Sequence, residues 1–231
     1  MKIRRSHKSR SIFITFIASL YFPMTTIRIA RYSLRCSTLG PGVRGVVWVQ
    51  GCSQRCPGCT SPEMRDYNGG IEMDVQELAE RFDASPELEG FTFSGGEPMD
   101  QAAALTELID ELRRRRGDNP SFMSYTGYIF EDLRKKLLFS QQKFVSNIDV
   151  LIDGPFMESQ YANLLWRGSA NQRVYFLTPR YKEWESRINE PGQGLEFELD
   201  ENGVIQWAGI PPLNFRDDFR KLMSNQGIII E

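Results

Sequence analysis

"VRGVVWVQGCSQRCPGC", residues 43–59, is the stretch on which the fold turns. Its first half, Val46-Val47-Trp48-Val49, is a short β-branched run bounded by glycine, which reads as a strand buried on both faces. Its second half is a loop carrying Cys52, Cys56 and Cys59 in C-x₃-C-x₂-C spacing. Pro57-Gly58 suits a tight wrap with close backbone approach. A buried strand that ends in a reactive loop belongs to parallel α/β architecture, where sites form at the C-terminal ends of strands.

Downstream the same unit recurs. "GFTFSGG" (90–96), "SFMSYTGY" (121–128) and "IDVLIDGPF" (148–156) each run as a strand into a turn, and "QRVYFLT" (172–178) reads as a further strand. Helical spacing over 74–84, with Asp74 as cap, over 101–116 and over 129–139 fills the intervals. The alternation predicts an α/β domain over 24–178 with a mainly parallel sheet, either open or a partial (β/α) barrel. Residues 179–231 form an extension in which "GLEFELDENGVIQWAG" (194–209), folded about Asn202-Gly203, predicts a β-hairpin with a helix annex. Three strand ends carry unusual sequence, "GCSQRCPGC", "SGGEP" and "DGPF", and a fourth ends in "TGY"; all are expected at one mouth.

The 231 residues are 41% hydrophobic and 25% charged, with a net charge of -2, so nothing draws the surface toward nucleic acid. The basic run Arg113–Arg116 reads as a solvated helix C-terminus and not as a phosphate site. His7 is the sole histidine, which argues against a Ser-His-Asp triad or a histidine-ligated zinc enzyme. Residues 1–23 differ from the rest: a basic start and the apolar "IFITFIASLYF" (12–22), too short to span a bilayer. They are expected to be a non-native extension ahead of a start at Met24, a targeting-like segment being the alternative. No membrane association and a cytoplasmic location are expected.

Three thiolates on one loop hold three corners of a metal centre. Structural zinc wants four protein ligands, whereas an iron–sulfur cluster held by three cysteines keeps one iron open. Two other readings stay open on spacing alone: chance clustering of buried thiols, and a closed four-cysteine site that includes Cys36. Cys36 itself reads as a small buried hydrophobe.

The C-x₃-C-x₂-C loop, followed about forty residues later by Gly95-Gly96-Glu97-Pro98 at the next strand end, resembles the radical S-adenosylmethionine (SAM) enzymes. The resemblance implies a [4Fe-4S] cluster on Cys52, Cys56 and Cys59 whose open iron is chelated by SAM. On reduction SAM would be cleaved to methionine and a 5′-deoxyadenosyl radical. It also implies that the strand-end backbone at Ser94, Gly95, Gly96, Glu97 and Pro98 meets the methionyl part of SAM. Gly58 and Thr60 would flank the cofactor, and Thr126 and Asp153 would share the same mouth.

"LGPGVRGVVWVQGC" (39–52), "CPGC" (56–59), "YTGYIFEDL" (125–133), "DVLIDGPF" (149–156) and "LLWRGSANQRV" (164–174) further resemble the glycyl-radical-enzyme activating enzymes. Within them the likeness is greatest to the branch that serves the anaerobic ribonucleotide reductase. It covers roughly residues 25–178 and implies a glycyl-radical enzyme as partner and an electron donor such as flavodoxin or ferredoxin. Two features depart from the pattern. Thr60 stands where an aromatic often follows the third cysteine, so the adenine contact must change, and the tail 179–231 exceeds the smallest activators. The chain carries no recognisable glycyl-radical acceptor motif, as befits an activator. Alternatives are a radical SAM enzyme acting on a small molecule or peptide, and a non-catalytic iron–sulfur or zinc module. The segment Pro155–Gln172, with Trp166 beside Arg167, is expected to offer exposed aromatics to a partner.

Overall fold

The computed structural model describes residues 24–116, 120–136, 138–199 and 203–228. The proposed start segment 1–23 lies outside them, as does most of the turn at 200–202.

Seven strands form one mixed sheet. In chain order they are β1 (Thr26–Cys36), β2 (Arg44–Val49), β3 (Ile71–Asp74), β4 (Gly90–Gly95), β5 (Ser121–Tyr125), β6 (Val150–Asp153) and, after a separate hairpin of β7 (Tyr161–Leu164) and β8 (Arg167–Ser169), β9 (Arg173–Phe176). The spatial order is β3-β1-β2-β4-β5-β6-β9, an open arrangement with β3 and β9 at its edges. The four central strands, β2-β4-β5-β6, are parallel, as expected. The flanking strands are antiparallel, so the sheet is mixed. The reason lies in the connections: parallel neighbours need a crossover, usually a helix, to carry the chain back, whereas the link from β6 to β9 holds a hairpin and no crossover helix, and β1 runs into β2 through a short loop. Strand β1, not anticipated, pairs with both β2 and β3.

The crossover helices are α1 (Val75–Phe82), α2 (Ala102–Arg116), and a broken pair, α3 (Phe130–Leu133) and α4 (Phe139–Val145). Asp74 caps α1 as expected, accepting from the N–H groups of Gln76 at 2.8 Å and Glu77 at 3.2 Å. The single helix expected over 129–139 is corrected: the chain turns after Leu133 and restarts at Phe139. Phe139 itself is 81% exposed, while Phe144 reaches the core. The run Arg113–Arg116 does end a helix, but it is less solvated than expected. Arg114 and Arg115 pair with Glu111, and Arg116 donates to the carbonyls of Ser85, Pro86 and Leu88.

Strand alternation divides the core. Val47, Val49, Phe91, Phe93, Phe122 and Leu151 point to the helices, meeting Leu78, Phe82, Leu105, Leu112 and Phe144. On the opposite face Met123, Val150 and Ile152 are covered by Leu165 and Trp166 from the β7–β8 turn, and Val46 and Trp48 by Ala208. Trp166 is therefore not the exposed anchor the sequence suggested. It is 1% exposed, takes a left-handed backbone (φ 58°), packs on Trp184 with ring centroids 5.1 Å apart, and donates to Gln193 at 3.1 Å. Leu165 is equally buried, and Arg167 is held by the carbonyls of Gln172 and Ile188. An aromatic beside an arginine here closes the sheet's open face and offers nothing to a partner.

The extension adds the expected hairpin, β10 (Leu195–Leu199) with β11 (Ile205–Gly209), and a helix, α5 (Phe215–Asn225). It lies against β1 and the cysteine loop. Arg31 donates to the Trp207 carbonyl at 2.6 Å, the Glu196 carboxylate accepts from the Ser37 N–H at 2.7 Å, and Arg216 donates to the Thr60 carbonyl at 3.0 Å and pairs with Glu63 at 2.7 Å.

Candidate metal centre and cofactor mouth

The parallel strands β2, β4, β5 and β6 all end on the same side, and their loops interlock. The Gly96 N–H donates to the Val49 carbonyl at 2.7 Å, and the Glu97 N–H to the Gly51 carbonyl at 2.9 Å. The loop after β4 is thereby hydrogen-bonded to the start of the cysteine loop. Its glycines are needed for this approach. Gly95 has φ 97°, and a Cβ there would sit 2.6 Å from the Val49 oxygen; a Cβ on Gly96 would collide with the Gly51 carbonyl. The missing side chain of Gly96 makes room for the cysteine-loop backbone.

Glu97 is 1% exposed and joins two strand ends. Its carboxylate accepts from the Met99 N–H at 2.9 Å, the Thr126 hydroxyl at 2.9 Å and the Gly127 N–H at 2.8 Å. Burial pushes its carboxyl up to about 7 against those three donors. Pro98 is buried and opens the short turn that Glu97 caps. Thr126 is buried through its bond to Glu97 and accepts from the Tyr128 N–H. Asp153 is 0% exposed, and both its oxygens are committed: to Arg173 at 2.9 and 3.2 Å, and to the Phe130 N–H at 2.7 Å. Its carboxylate fixes β6 to β9 and the start of α3.

Cys52, Cys56 and Cys59 are all free and half-buried. Their loop is shaped by protein contacts. Gly51 and Cys52 donate backbone N–H groups to the carbonyls of Met64 and Arg65, and Arg65 donates to the Cys56 carbonyl. Gly58 turns the loop with φ 68°. The Gln54 N–H reaches the Cys52 sulfur at 3.4 Å. Burial pushes the Cys52 and Cys56 thiols up; backbone N–H groups of Gln54 and Phe156 act the other way, favouring the thiolates. Among the described residues no three His, Cys, Asp or Glu side chains converge on a single metal ion. Three free sulfur donors on one loop, with a backbone N–H aimed at the Cys52 sulfur, fit an iron–sulfur cluster.

Cys36 cannot join them. It is fully buried, bonds to the Thr38 hydroxyl at 3.4 Å, and pairs in register with Arg44 at the start of β2. The rest of that strand separates it from the cysteine loop, about 17 Å at 3.3 Å per residue. The closed four-cysteine reading is thereby removed.

Thr60 and Ser94 line a cavity of about 140 Å³ beside the loop, with Gly95, Tyr125 and Phe156. Reading the sequence missed Tyr125, Phe156 as a wall of this cavity, and Asp100, which accepts from Tyr67 at 2.7 Å and from the Ser53 N–H of the cysteine loop. Only their places just beyond strand ends marked them.

These features define an iron–sulfur protein, and the family model described as "4Fe-4S single cluster domain" matches residues 38–175. Curated relatives carry the name anaerobic ribonucleoside-triphosphate reductase-activating protein, three of them as follows. That of Vibrio cholerae is 34% identical over 146 residues, covering 60% of this chain and 91% of the relative. Those of Escherichia coli K12 (31%; 60% and 91%) and phage T4 (32%; 59% and 85%) are similar. The chain belongs to the family of anaerobic ribonucleoside-triphosphate reductase-activating proteins. Residues beyond 175, including the hairpin and α5, lie outside the family-model match. Among the described residues no helix is long and apolar enough to cross a membrane.

Proposed function

We propose that this protein is a radical SAM activase that installs a glycyl radical on a partner enzyme. One observation carries the reading: backbone hydrogen bonds hold the three-cysteine loop against the Gly95-Gly96-Glu97 strand end. Cys52, Cys56 and Cys59 would hold a [4Fe-4S] cluster, which would supply the electron for reductive cleavage of SAM, the chemistry that yields the radical able to take hydrogen from glycine. The chain's own residues do the positioning. Glu97 and Thr126 lock the ends of β4 and β5 together, so the backbone of Ser94–Gly96 is presented at a constant height beside Cys52. Asp153, clamped by Arg173, does the same for β6 and holds Phe156 near Cys56. The partner is an anaerobic ribonucleotide reductase-type glycyl-radical enzyme, the electron donor a flavodoxin or ferredoxin, and the compartment the reducing cytoplasm, where free thiols persist.

Anaerobic reconstitution with iron and sulfide tests this. About four irons per chain are expected, and reduction in the presence of SAM should release 5′-deoxyadenosine. Cys52→Ala, Cys56→Ala or Cys59→Ala should each abolish both, while Cys36→Ala retains them. Mixing with a glycyl-radical enzyme should give the doublet electron paramagnetic resonance signal of a glycyl radical. A fully loaded protein that leaves SAM intact would overturn the reading. A peptide or small molecule is the second reading of the substrate. It is favoured by one observation, the extension beside the mouth, and a hydrogen donor other than protein glycine would establish it.

A further inference from the structure

Strand β11 of the extension runs along the cavity beside the cysteine loop. On the body's side that cavity is lined by Ser94, Gly95, Thr60 and Tyr125; on the extension's side it is lined by Trp207, Ala208 and Ile210. Its chemistry is specific. Trp48 and Trp207 supply flat apolar surface, and the Arg31 guanidinium lies 3.6 Å from the centre of the Trp48 ring while donating to the Trp207 carbonyl. Tyr125 also lines this cavity, beside Trp48 on the body's side. Thr60, next to the last cysteine, brings no ring to this wall; the extension brings one. At about 140 Å³ the cavity is smaller than the roughly 300–1,000 Å³ of pockets for drug-sized ligands. It accepts one ring system and not a whole cofactor.

We propose that the C-terminal extension builds the nucleoside subsite of this protein: strand β11, through Trp207, Ala208 and Ile210, forms with Tyr125 the wall that receives the adenine end of SAM. The inference rests on the SAM reading above and goes beyond it, because the family-model match ends before this strand. A flat aromatic wall beside small Ala208 suits a purine, which offers two faces for stacking. The methionyl end then points toward Gly95 and the cysteines.

Binding, not turnover, is the test. The anaerobically reconstituted protein is titrated calorimetrically with SAM and with 5′-methylthioadenosine, which keeps the nucleoside and lacks the amino-acid end. Ala208→Leu, which fills the cavity, should weaken both ligands at least tenfold at unchanged iron content. Trp207→Leu, which removes the flat ring from the wall, should weaken both about fivefold, the value of one stacking contact. Because Ala208→Leu also touches the core, hydrogen–deuterium exchange on the unaltered protein gives a second reading. Both ligands should slow exchange in β11, and methionine should not. SAM binding that is unaffected by both substitutions and leaves β11 exchange unchanged would overturn the nucleoside subsite while leaving the SAM reading intact. Failure of the unaltered, fully loaded protein to bind SAM at all would overturn both.

Discussion

At the N-terminal ends of β2, β4 and β5 the sheet buries a guanidinium; at their C-terminal ends it buries a carboxyl. Arg44 spends its donors on the Thr92 hydroxyl at 2.7 Å, the Pro41 and Phe91 carbonyls at 3.0 and 2.6 Å, and the hydroxyl and carbonyl of Ser121 at 2.8 and 3.3 Å. No carboxylate accepts from it; neutral oxygens alone satisfy it. Tyr181 closes that floor by donating to the Ser121 hydroxyl at 2.8 Å. The mouth is built otherwise. Glu97 is satisfied, but beyond it stand three half-buried thiols and loops with left-handed glycines. One end is finished by protein alone, the other carries free thiols.

That contrast can be broken in graded ways. The largest stability effect is expected from Arg44→Met. It orphans several buried acceptors and should cost on the order of 3 kcal/mol in urea unfolding, while iron bound per folded chain stays normal. A loss of iron without a loss of stability would erase the distinction between floor and mouth. Gly96→Ala should come next, at about 2 kcal/mol of overpacking. Because the intruding methyl meets the Gly51 carbonyl, the variant should also retain less iron. Gly127→Ala, whose Cβ meets the movable Gln54 side chain, should retain more.

A smaller effect belongs to Glu97 and is read from pH. Its carboxyl is raised to about 7 in the folded state against an ordinary 4.5, so the folded chain holds a proton that the unfolded chain releases in that window. Its contribution to stability therefore falls as pH rises from about 4.5 through 7. Glu97→Gln should flatten that segment of a stability–pH profile, and an unchanged slope would show that the three donors outweigh burial. Smallest is Arg216→Ala. It removes a half-exposed pair with Glu63 and a bond to Thr60, worth about 0.5 kcal/mol. It should show only as faster proteolysis of α5.

The mouth was the legible end. Cysteine spacing, paired glycines and strand-end turns are local signals, and the parallel order follows from the helices between strands. The floor was nearly silent in sequence, because Arg44 acquires meaning only when Thr92 and Ser121 arrive from two other strands. Strand β1 was missed although Ile27 and Ile29 alternate with Arg28 and Ala30. Its arginines and tyrosine dilute the apolar signal that pairing with β2 makes decisive. Trp166 misled because composition cannot reveal a left-handed turn that folds an aromatic inward. Tyr125 was passed over because a cavity wall is visible only once every neighbour is placed.

The cysteine loop is moored to the carbonyls of Met64 and Arg65 on one side and to the Glu97 N–H on the other. Its course is thus set by the polypeptide. Small zinc domains that collapse when stripped of metal are the opposite case. A chain moored in this way should keep its far-ultraviolet circular dichroism and its melting temperature when the metal is chelated away, so that loading becomes the filling of a berth already standing.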